Sequence, residues 1–258
     1  MSLYARYATA FKAGGYDTGV ASLPADVNDK FKFTSEQGET YEIGAKGTLQ
    51  NRRIRYDVAV FNMEISDLQL ATIVADVLGT GAVNVAEALN AGKQRTRGVE
   101  FGLDAILTEN LGLSLQGAIM DGVMVNFSGA GCTPAELEVA DTGPCVSLDE
   151  AIEQGSEDLA GTIDRSGDPA PRVPDWKFSV MLDYAAPLMD SFMGYANVNF
   201  GGSDGYITDV ETFSLVQKYN THYDMNLTLG IGDAADSWRL RFAASCHACP
   251  CWVEGSMS

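Results

Sequence analysis

Two stretches of this chain alternate apolar and polar residues with a period of two. In the stretch 176–184 every even position is apolar or aromatic, and in the stretch 223–231 every odd position is. Successive side chains of a β-strand point to opposite faces, so this alternation predicts strands with one apolar face and one polar face. A helix would scatter the same apolar residues around its circumference, so the pattern favours a β fold.

Nine strands are predicted, and the connections between them alternate between long and short. The predicted strands are 3–12, 40–50, 54–70, 90–107, 111–125, 175–184, 192–200, 219–231 and 238–244. A soluble sandwich does not require this alternation, whereas a membrane-spanning barrel has short turns on one side and long loops on the other. The pattern predicts an all-β fold. It is an antiparallel up-and-down meander of about nine strands, a partial outer-membrane β-barrel in the form of an open curved sheet or an incomplete barrel.

Composition restricts the partners and the chemistry of the chain. The formal net charge of −18 argues against a nucleic-acid partner, because phosphate binding needs a basic surface. The sequence contains no run of about eighteen apolar residues, so no transmembrane helix is predicted. A strand of a membrane barrel needs only about 9–11 residues, so this does not argue against a barrel. No nucleophile elbow, phosphate loop or dinucleotide fingerprint occurs in the sequence, so neither an enzyme nor a cofactor is predicted.

A membrane setting assigns the two faces of the strands to lipid and to water. Charges that face lipid at mid-depth cost about 2–4 kcal/mol each, so the polar positions are expected to face the lumen. These positions are Glu42, Lys46, Glu100, Asp104, Lys177, Asp183, Asp224, Arg239 and Arg241. Aromatic residues near strand ends are expected to form belts at the lipid–water interfaces. They are Tyr4, Tyr7, Phe11, Tyr41, Trp176, Tyr184, Phe192, Trp238 and Phe242.

The stretch 3–16 reads L-Y-A-R-Y-A-T-A-F-K-A-G-G-Y. It resembles a stretch in the C-terminal half of TonB-dependent outer-membrane receptors. Segments at 41–46, 60–69, 90–100 and 171–176 are similar to the same family, in the same order. The resemblance covers residues 3 to about 242. It implies a barrel of about 22 strands with a plugged lumen in the Gram-negative outer membrane. Such a receptor takes up a scarce nutrient, most often a ferric siderophore, with energy passed on by TonB.

Two departures from the family pattern bear on what this polypeptide does alone. No plug domain precedes Met1, so TonB is expected as a partner only through that absent domain, and a last strand is expected to be missing after residue 244. Residues 1–244 are predicted to be the C-terminal portion of the receptor barrel, with a long exterior loop at 126–171. Residues 245–258 are predicted to be an atypical Cys-rich tail without fixed structure, which a natural truncation, a gene fragment or a frame error would explain.

The exterior loops contain the predicted ligand-binding residues, which are Tyr16, Asp17, Tyr206 and Tyr219. Cys132 and Cys145 lie in the long acidic loop and are predicted to form a disulfide, because the cell exterior is oxidising. Two free thiols are the alternative. The carboxylates of this loop lack the regular spacing of a calcium loop, so a solvated acidic loop is favoured over a calcium site.

A second group of cysteines lies near the end of the chain. Cys246, His247, Cys249 and Cys251 are close enough in sequence to suggest zinc or copper. Metal sites usually separate their ligand pairs by a structural element, which this run lacks, and Pro250 restricts chelation. No metal site is therefore predicted here.

The predicted function is that of a fragment of an outer-membrane TonB-dependent receptor for uptake of a nutrient such as an iron–siderophore complex. Its partners are then outer-membrane lipid and the nutrient, and cobalamin or an oligosaccharide would give the same pattern as a siderophore. Two alternatives stay open at this point. One is a soluble or surface β-sandwich binding protein, and the other is a passive porin-like barrel.

Overall fold

The computed structural model describes residues 1–16, 32–74, 85–132, 136, 143, 145–155, 161–208, 218–235, 237–247 and 252–257. Ten long strands form one antiparallel sheet in these residues. In chain order they are β1 Ser2–Lys12, β2 Glu36–Leu49, β3 Ile54–Val74, β4 Val85–Ile106, β5 Leu111–Asn126, β6 Trp176–Met189, β7 Phe192–Ser203, β8 His222–Asp233, β9 Arg239–His247 and β10 Trp252–Met257.

Each strand pairs with the strand before it and the strand after it, so the sheet is an up-and-down meander. Within the described residues β1 and β10 do not pair with each other, and the sheet is open. The predicted all-β, antiparallel, unclosed architecture is confirmed. From β1 to β9 the long connections emerge at one end of the sheet, the long-loop end, and the short ones at the other, the short-turn end.

The tenth strand differs from the sequence-based expectation of nine strands and an unpaired tail. It pairs with β9 from Ser245↔Trp252 to Leu240↔Met257. The physical reason is that β9 would otherwise present a row of backbone donors and acceptors without strand partners. An extended segment beside it satisfies these groups, so part of the segment 245–258 continues the sheet.

The pairing register sorts the side chains onto two faces with different chemistry. Ile43, Val60, Val99 and Ile119 lie in one row across β2 to β5 and define the apolar face. The opposite, polar face carries every residue that the sequence assigns to the lumen. Its cross-strand contacts include Asn197 Nδ2 donating to Asp183 Oδ1 at 2.6 Å. The period of two therefore places the charges as expected.

One aromatic residue lies on the other face from its expected belt position. Tyr4 is on the polar face, where its hydroxyl donates to Glu42 Oε1 at 2.7 Å. Tyr7 and Tyr41 lie on the apolar face, with ring centroids 4.9 Å apart. Strand alternation explains the difference, because Tyr4 is an even position of β1, whereas Tyr7 and the other residues of this strand on the apolar face are odd positions.

The apolar face is not covered by a second layer in the part of the chain that the structure describes. Ile43 is 69% exposed, Val60 58% and Tyr184 47%. The remaining sheets there are two-stranded ribbons, whereas a sandwich needs a second sheet. None of the helices that the structure describes is long and apolar enough to span a membrane.

Side chains at the short-turn end connect neighbouring turns. The Arg53 guanidinium donates to the carbonyl oxygens of Ile106 and Leu107, at 3.0 and 3.1 Å. Asn110 Nδ2 donates to the Ala185 carbonyl at 2.7 Å. Because each bond joins one turn to the next strand pair, neighbouring turns hold one another in position.

Candidate functional site at the long-loop end

The outer parts of β3 and β4 change direction before they reach the long-loop end. Asp67 and Gly92 both have positive φ, +54° and +34°. A Cβ at Gly92 would collide with the carbonyl of Asn126, so this position requires glycine. Ile65 and Leu68 are three residues apart and yet belong to one apolar cluster, which a regular strand does not allow. We call this change of direction the kink.

Two amides above the kink hold the loop between β1 and β2. Gln69 and Asn90 are directly paired across β3 and β4. Asn90 Oδ1 accepts from the Thr34 amide at 2.6 Å, and its Nδ2 donates to the Asp67 carbonyl at 2.7 Å. Gln69 Nε2 donates to the carbonyls of Ala13 and Thr34, at 3.0 and 2.9 Å. This amide clamp was not recognised from the sequence, although both residues lie in the family-like segments 60–69 and 90–100.

The connection between β5 and β6 forms a small folded unit with its own apolar core. A two-stranded ribbon pairs Ala130–Gly131 with Thr162–Ile163. The fully buried side chains of Met124 and Phe127 lie beneath it. Among the described residues this core consists of Leu68, Met124, Phe127, Ala130 and Ile163, with Ile65, Leu70, Cys132 and Ile207 packed at its margin. Because Leu68 belongs to β3, this unit is anchored to the sheet.

A disulfide and a short helix complete the described part of this unit. The disulfide joins Cys132 to Cys145, whose Cα atoms are 6.2 Å apart, a usual separation for such a bond. The helix α1 spans Leu148–Glu153 and begins with a capping box, in which Ser147 and Glu150 each accept from the other's backbone amide.

An ion pair of low exposure connects two distant parts of the same unit. Arg165 Nη2 contacts Glu136 Oε2 at 2.8 Å, and the two side chains are 11% and 22% exposed. Arg165 Nη1 also lies 3.8 Å from Asp168. The Glu136 carboxylate of the acidic loop therefore forms a contact within this unit. No sequence pattern indicated Arg165 as its partner.

Asp164 next to this pair is an acceptor of local hydrogen bonds. The side chain and the backbone amide of Ser166 bond to the Asp164 carboxylate and hold its pKa below the usual value. The Ser166 amide lies 2.8 Å from Asp164 Oδ1. Ser166 Oγ in turn accepts from the amide of Phe127 at 2.9 Å, so the turn is connected to the core of the unit.

Three aromatic rings stand together between β7 and β8. Tyr206 and Tyr219 pair in a short ribbon and stack with ring centroids 5.3 Å apart and planes 12° from parallel. The His222 ring meets Tyr219 edge-on at 5.4 Å. Below them Thr221 Oγ1 donates to Asp204 Oδ1 at 2.7 Å and closes the base of this loop. The sequence indicated both tyrosines, but not that they touch, nor that His222 joins them.

The other predicted site residues are spread over the long-loop end or lie outside the described residues. Tyr16 pairs with Lys32 in the ribbon between β1 and β2, and its side chain is 59% exposed. Asp17 lies outside the described residues, as do Cys249 and Cys251 of the Cys-rich segment. Cys246 and His247 are consecutive residues of β9. Among the residues described, no three His, Cys, Asp or Glu side chains lie together in a way that would hold a metal ion.

The polar face carries two broad depressions below the loops. One of about 600 Å³ lies towards the short-turn end, and the other, of about 510 Å³, lies over β3 to β6. Charged residues of both signs line them, including Asp183, Arg239 and Arg241 in the first and Glu100 and Lys177 in the second. Arg239 lies over the ring of Tyr195, with 4.1 Å from its guanidinium carbon to the ring centroid. Both depressions are open, so their charged side chains can be solvated by water or contacted by another polypeptide.

Comparisons with known proteins agree with this geometry. The family model described as TonB dependent receptor-like, beta-barrel matches residues 1–245. The ferric yersiniabactin uptake receptor FyuA from Yersinia pestis superposes with a TM-score of 0.58 at 15% identity, over 94% of this chain and 29% of that one. The siderophore receptor PiuA from Acinetobacter baumannii gives 0.59 at 15% identity, over 94% of this chain and 29% of that one.

A copper transporter, OprC, is similar to the same extent, with a TM-score of 0.56 at 14% identity over 94% of this chain and 30% of that one. At such identities the likeness concerns the fold alone. The chain spans about 30% of the length of the solved structures it matches. The curated proteins compared with it include no match.

Proposed function

The chain belongs to the TonB-dependent receptor β-barrel family, and from this membership we propose that it forms part of the wall of an outer-membrane nutrient receptor. The proposed setting is the outer membrane of a Gram-negative bacterium. The proposed activity is uptake of a scarce nutrient, with a ferric siderophore as the first candidate. The proposal is transport and not catalysis.

One observation carries the membrane part of this proposal. A single ten-stranded sheet has an uncovered apolar face, a charged face behind it, and all of its long loops at one end. In water such a large exposed apolar surface would favour aggregation. In a bilayer the same surface contacts lipid, the charged face lines the lumen, and the loops reach the exterior. A soluble binding protein or a sandwich leaves the uncovered face unexplained.

The ligand part of the proposal rests on the loops and on the neighbouring structures. FyuA is described as a ferric yersiniabactin uptake receptor, PiuA as a siderophore receptor and OprC as a copper transporter, so a metal or its chelate is the first class to test. The stacked rings of Tyr206 and Tyr219 offer flat surfaces to a planar or aromatic chelate. Tyr16 and Asp17 are proposed as further contacts from the loop between β1 and β2.

Two partners complete the proposed function. Outer-membrane lipid is the proposed partner of the apolar face. The TonB system is the proposed source of energy, and its proposed point of contact is a plug domain rather than the barrel wall. A plug would cover the polar face, whose mixed charges fit a polar protein surface better than an apolar one.

Fractionation of expressing cells tests the location. The full chain is expected in the outer-membrane fraction and is expected to need detergent to stay dispersed. Its electrophoretic mobility is expected to change on boiling. A chain that stays in the soluble fraction without detergent would refute the proposed setting.

Titration with ferric complexes tests the ligand. Quenching of tryptophan fluorescence by a ferric catecholate and a ferric hydroxamate is the measurement, with the iron-free chelators as blanks. The double variant Tyr206→Ala, Tyr219→Ala is expected to lose affinity, whereas Tyr184→Ala on the apolar face is the matched control. Equal affinity of the two variants would remove these tyrosines from the proposed site.

A further inference from the structure

The cations on the ten strands are distributed unevenly between the two faces. By register, the lysines and arginines that lie on the apolar face within the described strands are Lys93, Arg95 and Arg97, all on β4. The other strand cations lie on the polar face. A group of outward-facing cations on one strand is costly in a bilayer core, so its height relative to the apolar band matters.

Arg97 lies directly above the apolar band. The row below it contains Ile43, Val60, Val99 and Ile119, whereas its own row contains polar or amphipathic residues, namely Tyr41, Asn62 and Asp121. Tyr and Trp mark the level at which hydrocarbon meets lipid headgroups. Tyr41, whose ring contacts that of Tyr7 at a tilt of 38°, therefore places the Arg97 guanidinium at headgroup level.

A shallow groove leads from Arg97 down the apolar face. It has a volume of about 470 Å³, and its outward side chains are Tyr41, Ile43, Val60 and Val99, with Arg97 and Asn62 at its upper end. Three of these side chains are aliphatic and lie in the apolar band. A groove that is apolar along its length and cationic at one end matches an acyl chain attached to an anionic headgroup.

The guanidinium itself is oriented and only partly used. Its Nε donates to Asp121 Oδ2 at 2.9 Å, and the Arg97 side chain is 59% exposed. Its two terminal amino groups have no partner among the described residues, so four N–H donors in a planar fork are available. Such a fork matches two oxygens of a phosphate group.

The neighbouring charges limit the long-range field of this group. Lys93 pairs with Glu64, and Arg95 lies in the same row as Glu64 and Glu39. Together with Asp121 the carboxylates balance the three cations. Selectivity is therefore expected from direct bonds to the Arg97 fork and not from a general attraction of anions.

From this arrangement we infer that Arg97 and the groove below it bind a phosphorylated lipid, with its phosphate on the guanidinium and one acyl chain along Ile43, Val60 and Val99. The inference rests on the proposed membrane setting and adds a specific lipid site to it. The occupant is a membrane lipid, since the groove offers a free phosphate no contact below the guanidinium.

Native mass spectrometry of the full chain in detergent micelles tests the site. The probes are dioleoyl phosphatidic acid, which carries a phosphomonoester, and dioleoyl phosphatidylcholine, which has the same chains and no net charge. The wild-type chain is expected to bind the first lipid about tenfold more tightly, a ratio that corresponds to about 1.4 kcal/mol. Arg97→Gln is expected to bring the ratio close to one, and Arg97→Lys, which keeps the charge without the fork, to give an intermediate ratio.

Arg6→Gln is the matched control. Arg6 lies one row from Arg97 across the sheet but on the polar face, so its removal deletes the same charge at a similar height. The tenfold ratio is expected to persist in this variant. If Arg97→Gln kept the wild-type ratio, or if Arg6→Gln lost it equally, the lipid site would be refuted.

Two further outcomes separate this inference from the proposed function. Competition by excess inorganic phosphate that removes the preference for phosphatidic acid would identify an anion site and overturn the lipid assignment. A chain that enters micelles but shows no preference would overturn the lipid site and leave the receptor proposal intact. A chain that stays dispersed without detergent would overturn both.

Discussion

Substitution of Val58 by lysine measures directly whether the apolar face contacts lipid. Val58 lies on β3 between Ala45 of β2 and Phe101 of β4, and it is 39% exposed in the isolated chain. If this face met water, a lysine there would change the free energy of unfolding by no more than about 0.5 kcal/mol. If it meets lipid, the cost is about 2–4 kcal/mol near mid-depth. That cost lowers the folding equilibrium constant about 30- to 1000-fold.

The assay is urea unfolding of the full chain in phosphatidylcholine vesicles, followed by tryptophan fluorescence. Ala59→Lys is the control, because Ala59 is the next residue of β3 and lies on the polar face directly opposite Glu100. A lysine there gains an opposite charge across the strands and is expected to cost little. Equal losses for the two variants, or a loss below about 0.5 kcal/mol for Val58→Lys, would refute a lipid-facing apolar surface.

Three further predictions concern the long-loop end. Replacing Cys145 by serine is expected to destabilise the unit between β5 and β6 by about 3 kcal/mol in the chain-entropy estimate, seen as faster amide hydrogen exchange there while sheet amides stay slow. Unchanged exchange would speak against a stabilising disulfide. Because the folded-state pKa of Asp164 is lowered, its stabilising effect is complete above its ordinary pKa of about 3.9 and declines as pH falls through the lower folded value. An NMR titration is expected to show the Asp164 pKa rising towards its ordinary value in Ser166→Ala, and an identical titration would contradict the hydrogen-bond assignment. Asn90→Ala removes the acceptor of the Thr34 amide and is expected to cost about 1 kcal/mol locally, with faster exchange of that amide as the check and no change as the contrary result.

The sheet could be predicted from sequence because its chemistry repeats along every strand. Apolar and polar positions alternate with the period of the strand, so the face of residues such as Val180 and Lys177 follows from counting. The short turns predict which strands pair as hairpins, since antiparallel neighbours need only a few connecting residues. Tyr4 departs from the expected belt because it is an even position of β1, which alternation places on the polar face, where its hydroxyl donates to Glu42.

The long-loop end could be predicted only in part, because its contacts join residues far apart in sequence. The bond of Asn90 to Thr34 spans 56 positions, and the pair of Arg165 and Glu136 spans 29. Neither has a periodic pattern or a local motif. The stack of Tyr206 on Tyr219 likewise depends on how a loop closes, which hydrophobic alternation does not encode.

Asp67 and Gly92, which both have positive φ, divide the hairpin of β3 and β4 into an outer part near the long-loop end and an inner part within the sheet. Pairing is in the same register on both sides of them, so direction changes there without insertion or slippage. The part of the hairpin beyond these two residues can therefore be exchanged or lengthened without a change in the register of β3 and β4 within the sheet. Asp67 and Gly92 thus allow the outer part of the hairpin to vary while the strands of the barrel wall keep their pairing.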